Sequence, residues 1–176
     1  MRLKMSLQSI NLYSLLAKKK QFKKTVNFDL KRIKLALIKL GNPEKKLKNV
    51  INFLGSSGKF TTLNSIKSFI EANNQTATAY ISPSLKDIKE RFWMGERYLT
   101  HQEIKRSIKL IEEIKVPLTI FEVLTVIYIM NASKQNVNYH FVEAGALFAK
   151  DSTNVFDFPL AQVVVNINKQ HLNFLD

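Results

Sequence analysis

Leu30, Ile33, Leu37 and Leu40 recur at helical spacing, and Gly41 followed by Pro43 supplies a stop. The pattern predicts a helix with one buried face that ends at the loop Gly41-Asn42-Pro43. Next comes Val50-Ile51-Asn52-Phe53-Leu54, short and rich in strand formers, running into Gly55-Ser56-Ser57-Gly58-Lys59-Phe60-Thr61 and then the helical spacing Leu63, Ile66, Phe69, Ile70. The order is strand, glycine loop, helix. A second short strand is predicted at residues 78–81, ending in Ser82-Pro83-Ser84-Leu85.

Thr100 and Glu103 have capping-box spacing ahead of Ile104, Ile108, Ile111 and Ile114, which marks a surface helix with one apolar stripe. Thr119 and Glu122 repeat that spacing before an almost wholly apolar stretch through Met130. A helix apolar on most sides has to be buried. Residues 139–143 and 162–167 read as further strands, and the run Val163-Val164-Val165 is expected to be covered on both faces. Strands separated by helices predict an α/β fold, a mostly parallel sheet flanked by helices.

At 176 residues and 45% hydrophobic, the chain is long enough for one well-cored domain. There are no cysteines, which excludes disulfides, thiolate metal sites and a cysteine nucleophile, and fits a cytoplasmic location. The apolar run from 120 to 130 is far short of the roughly 20 residues that span a bilayer, so no membrane partner is expected. Gln8, Ser9 and Asn11 break the apolar character of the first 20 residues, which read as a helix rather than a signal peptide. Residues 1 to 50 hold 14 of the 27 lysines and arginines and two of the 14 acids, so most of the net charge of +13 sits ahead of the first strand. With few arginines and little aromatic interleaving, it reads as a solvated face rather than a nucleic-acid surface, though a basic nucleic-acid-binding module without catalysis is the non-enzyme alternative.

The chemistry concentrates in Gly55, Ser56, Ser57, Gly58, Lys59, Phe60 and Thr61. In such a loop, backbone N–H groups and the start of the next helix surround phosphate oxygens, because unpaired amides and the helix dipole both favour an anion. Lys59 would sit against the β and γ phosphates, with the Thr61 hydroxyl near Mg²⁺. The plainer reading is a strand-to-helix turn with a surface lysine. Ser82, Glu143 and His171 each stand at or just past the predicted C-terminal end of a strand, the edge where open α/β sheets bind ligands, and together could hold a divalent ion.

The order of these motifs resembles the folylpolyglutamate synthase / dihydrofolate synthase branch of the Mur ligase family over roughly residues 30 to 176. Leu40-Gly41-Asn42-Pro43 is similar to the family's Leu-Gly-Asn-Pro, and Gly55 to Thr61 to its Gly-Thr-Asn-Gly-Lys-Gly-Ser loop, with Phe60 in place of a glycine. Ile81-Ser82-Pro83-Ser84-Leu85 resembles Thr-Ser-Pro-His-Leu, followed by Glu90-Arg91-Phe92 where the family has Glu-Arg-Ile. Phe121-Glu122 opens the buried helix as in the family. Glu143-Ala144-Gly145 through Asp151-Ser152-Thr153-Asn154 resembles Glu-Val-Gly running on to Asp-Ala-Thr-Asn, and Gln170-His171 the later Asp-His.

The resemblance implies a P-loop NTPase-like ATP-binding domain and a ligase that joins L-glutamate to a pteroate or folate carboxylate through an acyl phosphate, with ATP and Mg²⁺ as cofactors. Lys59, Glu143 and His171 would be catalytic, Ser82, Glu143 and His171 would ligate the metal, and Ser84 and Asp151 would face the substrate, Asp151 near the pterin. A related Mur-type ligase for a cell-wall precursor is the alternative within the family. Residues 1–40 are expected to form a basic helical lead segment, and 41–176 the N-terminal part of the ATP-binding domain, with the C-terminal ligase domain absent. The chain is therefore expected to be a fragment that cannot complete ligation alone, with an exposed sheet edge, and the full-length protein to be a monomer.

Overall fold

The computed structural model describes residues 14, 16, 29–146 and 148–168. Helix α1 (Leu30–Lys39) starts at Asp29, whose carboxylate accepts the backbone N–H of Lys31 at 2.9 Å, and buries Ile33, Ala36 and Leu37. Gly41 at φ +82° and Asn42 at φ +53° turn the chain back after it, and the N–H of Asn42 closes onto the Leu37 carbonyl. A short 3-10 turn (Pro43–Lys46) leads to strand β1 (Val50–Leu54).

From β1 the chain enters the glycine loop and helix α2 (Lys59–Ala72), then strand β2 (Ala77–Tyr80), a 3-10 turn (Ile88–Arg91) and strand β3 (Phe92–Met94). Helices α3 (His101–Glu113) and α4 (Ile120–Ala132) follow, both opened by full capping boxes, Thr100 with Glu103 and Thr119 with Glu122. Strands β4 (Tyr139–Glu143) and β5 (Ala161–Val164) complete the sheet. Its order is β3-β2-β4-β1-β5, parallel throughout except for β3, which runs antiparallel to β2.

The expected α/β architecture is present, with four instructive differences. The second strand is Ala77–Tyr80, one residue earlier than its pattern suggested. Strand β3 has only three residues, too few for a periodicity, and is held by its register against β2, Thr78 opposite Met94 and Tyr80 opposite Phe92. The predicted strand at 162–167 spans Ala161–Val164. The valine run is also not covered on both faces: β5 pairs with β1 at the end of the sheet, and Val164 is 56% exposed.

One face of the sheet carries α1, α3 and α4 in a single apolar cluster that also takes in Leu16. Helix α4 is the centre of that layer, with every residue from 122 to 132 buried. Asn131, buried within it, donates to the Ser107 hydroxyl of α3 at 2.9 Å, so the helix contact contains one satisfied polar link. Arg32 of α1 reaches Glu122 at the start of α4 through Nη2 at 3.1 Å and Nε at 3.4 Å. Among the described residues the other face is covered by α2 alone, through a small cluster of Phe53, Leu63, Ala77, Ala79 and Phe141.

Candidate functional site

Three of the parallel strands deliver a candidate residue to the same edge, because parallel strands all end on one side. The glycine loop leaves β1, Ser82 lies just past β2, and Glu143 is the last residue of β4. Register fixes how they meet: Phe53 of β1 stands beside Glu143, so the carboxylate lies next to the loop that follows β1. The backbone N–H of Ser82 donates to Glu143 Oε2 at 3.0 Å, so two of the three proposed metal ligands are already in contact. His171, the third, lies outside the described residues.

The loop is held open by its glycines. Gly55 has φ +124°, and a Cβ there would come within 2.7 Å of the Val165 side chain and 2.8 Å of the Asn166 carbonyl oxygen. Gly58, at φ +90°, is the N-cap of α2 and offers no side chain to the helix, so the first-turn amides from Lys59 to Thr61 have no capping side chain. Lys59 bends back over the loop, its Nζ donating to the carbonyls of Gly55 at 2.7 Å and Ser56 at 3.4 Å. Ser57 and Thr61 are exposed at the rim.

The segment leaving β5 crosses this loop. Ser56 N–H donates to the Asn166 carbonyl at 2.7 Å, the Asn168 N–H donates to the Ser56 hydroxyl at 2.9 Å, and that hydroxyl lies 3.0 Å from the Asn168 carbonyl. Phe60, which stands where the resemblance would place a glycine, is the second residue of α2 with an ordinary helical φ. No left-handed conformation is needed there, and its ring is 45% exposed on the outer flank of the helix.

Glu143 is 3% exposed, and burial pushes its carboxyl above the usual range, while the Ser82 N–H and the charges of Lys59 and Arg91 pull the other way. Arg91, buried at the end of a 3-10 turn, is therefore part of the electrostatics of the site. The sequence showed it within the Glu-Arg-Phe motif, but nothing in local pattern connects it to a carboxylate 52 positions away.

Asp151 occupies a different place. It is 3% exposed and accepts from the N–H of Ala146 (2.8 Å), the N–H of Thr153 (2.9 Å) and the Thr153 hydroxyl (2.7 Å). A Cβ on Gly145 would meet the Phe121 ring at 2.6 Å, which puts this loop against the start of α4. Burial raises the Asp151 carboxyl despite those donors. Ser84 is half-buried in the loop after β2. Among the described residues there is no cluster of three or more His, Asp or Glu side chains able to hold a metal by themselves. No helix there is long and apolar enough to cross a membrane.

No family model matches the sequence. Its curated relatives include dihydrofolate synthase / folylpolyglutamate synthases: that of Bacillus subtilis strain 168 is 27% identical over 155 residues, 83% of this chain and 36% of the relative. That of Buchnera aphidicola subsp. Schizaphis graminum is 29% identical over 161 residues, 88% of this chain and 37% of the relative. The chain thus spans little more than a third of the length of these relatives. Among solved structures, E. coli FolC in complex with DHPP and ADP superposes with a TM-score of 0.85 at 27% identity, over 93% of this chain and 40% of that one. Folylpolyglutamate synthase from Thermotoga maritima does so at 0.77 and 27%, over 92% of this chain and 38% of that one. The fold is the one these synthases use for that part of their length.

Proposed function

We propose that this chain supplies the ATP-binding part of a ligase that joins L-glutamate to a pteroate or folate carboxylate, the activity named for its relatives. The observation that carries the reading is the meeting at one sheet edge of the Gly55–Lys59 loop, Glu143 and Ser82. The likeness to a FolC solved with ADP supports it. Such an enzyme works in the cytoplasm, where ATP and folates are available.

The residues have separable tasks. Amides of Ser57 to Thr61 and the positive end of α2 bind phosphate oxygens. The Lys59 ammonium exchanges the Gly55 and Ser56 carbonyls for phosphate, which keeps the cation hydrogen-bonded in both states. A carboxylate and a hydroxyl are hard oxygen donors, so Glu143 and Ser82 fit Mg²⁺, with His171 as the third candidate. When bound, the ion supplies charge neutralisation for phosphoryl transfer to the carboxylate. The Ser82 N–H fixes the Glu143 carboxylate at the sheet edge beside Ser82. Ser84 and Asp151 remain the candidates on the substrate side.

Calorimetric titration of Mg-ATP into the chain and into Lys59→Ala tests this. Loss of one charge-assisted contact predicts affinity weaker by about tenfold or more. Equal affinity in both proteins, or no binding to the folded wild-type chain, defeats the assignment.

A further inference from the structure

The thinly covered face of the sheet holds a cleft of about 760 Å³ between the flank of α2, Ala79 of β2, Trp93 of β3 and Tyr98. It opens beside Ser82 and belongs to the site proposed for the ligase. A separate feature lies on the other side of the molecule, on α1. Ile33, Ala36 and Leu37 turn one side of that helix into the thick apolar layer. Lys31, Lys34, Leu35 and Ile38 recur at i, i+3, i+4 and i+7, within an arc of roughly 100° that points the opposite way. Leu35 is 47% exposed and Ile38 60%, so two aliphatic side chains stand in solvent on the side of the helix where polar residues belong.

The charge around them has one sign. Helix α1 contains no acid, and the Asp29 carboxylate that caps it accepts the Lys31 N–H. Arg32, on the flank, is committed to Glu122, and Lys39 donates to the Ile114 carbonyl at 3.0 Å. Lys45, Lys46 and Lys48 are exposed just past the helix. In the sequence, lysines stand at 18–20, 23 and 24, and no acid precedes Asp29. Charge complementarity therefore selects an anionic partner. Two aliphatic side chains on a convex helix offer far less than the roughly 800 Å² per side of a stable protein interface, and they have no ring on which a base could stack. A bilayer demands neither: it takes aliphatic side chains at its acyl boundary while lysines rest at the headgroups.

We propose that the outer face of α1 docks on an anionic lipid surface, with Leu35 and Ile38 entering the interface and Lys31 and Lys34 meeting the headgroup phosphates. The helix lies on the bilayer and does not cross it, so no spanning segment is required. Helices α1 and α2 are on opposite faces of the sheet, so docking leaves α2 and the glycine loop at its start facing away from the lipid. The inference does not depend on nucleotide binding. It gives the basic excess of the first 50 residues a task, the long-range attraction that brings the chain to the surface.

Co-sedimentation of the full chain with vesicles in dilute buffer tests this, with a vesicle-free sample as the baseline. Binding is expected to vesicles of phosphatidylcholine and phosphatidylglycerol in equal parts, and not to phosphatidylcholine alone. One lysine near such a surface is worth about fivefold in partitioning, so Lys31→Glu with Lys34→Glu should weaken binding by about thirtyfold or more. Leu35→Ser with Ile38→Ser should weaken it by about tenfold. All four residues are exposed, so both pairs of substitutions retain the fold, which circular dichroism checks. Absence of binding to the mixed vesicles, equal binding to both compositions, or partitioning unchanged by either pair of substitutions overturns the proposal. Binding to a duplex oligonucleotide tighter than to the mixed vesicles assigns the face to nucleic acid and overturns it too.

Discussion

The two faces of the sheet are built to different standards. On the first, three helices bury a continuous apolar layer in which α4 has no exposed side and its polar groups are paired. On the second, α2 is the one helix among the described residues that covers the strands, with Leu63 as its single fully buried residue, and Phe69 projects 73% exposed. The glycine loop and the aromatic cleft both belong to the second face or its rim. Stability rests on the thick layer, and the thin layer leaves backbone and side chains free to meet ligands.

The largest expected effect lies in the thick layer. Ile127→Ala removes a fully buried side chain from α4 and should cost about 2–5 kcal/mol in urea unfolding. A cost below 1 kcal/mol would mean that α4 is not the weight-bearing element. Phe69→Ser on α2 is the opposing control.

Acid should strike the thick layer next. His140 is buried, with its Nδ1 2.7 Å from the Thr78 hydroxyl, which in turn lies 2.8 Å from the Tyr128 hydroxyl. Burial lowers its pKa to about 4 from 6.5. The unfolded chain then binds the proton more readily, so the stabilisation is complete above pH 6.5 and is lost as pH falls toward 4. At pH 5 the contribution lost is about 2 kcal/mol, and His140→Asn should flatten that part of the profile. Glu143 and Asp151, raised by burial, act in the opposite sense, since protonation favours the folded state. A profile that steepens on replacing His140 would contradict the assignment.

Smaller again is Thr100→Ala, which breaks the capping box of α3 at the surface and should cost about 1 kcal/mol by the same denaturation assay. Phe69→Ser closes the series, with stability unchanged to within about 0.5 kcal/mol. If it costs as much as Ile127→Ala, the contrast between the faces fails.

Much of this was legible in order along the chain, because each signal was local. The β1 strand, the glycine loop and the start of α2 are contiguous, and both capping boxes declare themselves within four residues. Elements fixed by distant partners were not legible. Strand β3 depends on pairing with β2 and on Tyr98 against Trp93. Glu122 was read as the residue opening a buried helix, but its partner Arg32 lies 90 positions earlier. The valine run of β5 carried a strong strand signal, yet composition does not say whether a strand lies inside a sheet or at its end. The cleft was invisible for the same reason: its walls come from four separated segments, and it is defined by where α2 does not reach.

The exposed end of the sheet has a colloidal consequence. Phe158 (96% exposed), Leu160, Val164 and Ile167 place apolar surface along or beside β5. Such an edge invites another strand to add to it. The chain also carries a net charge of +13, so two copies repel each other before their edges meet. Added salt shortens the range of that repulsion to about 3 Å at 1 M while leaving apolar attraction in place. Turbidity and light scattering should therefore rise with ionic strength, and dilute buffer is the condition in which this protein keeps its copies apart.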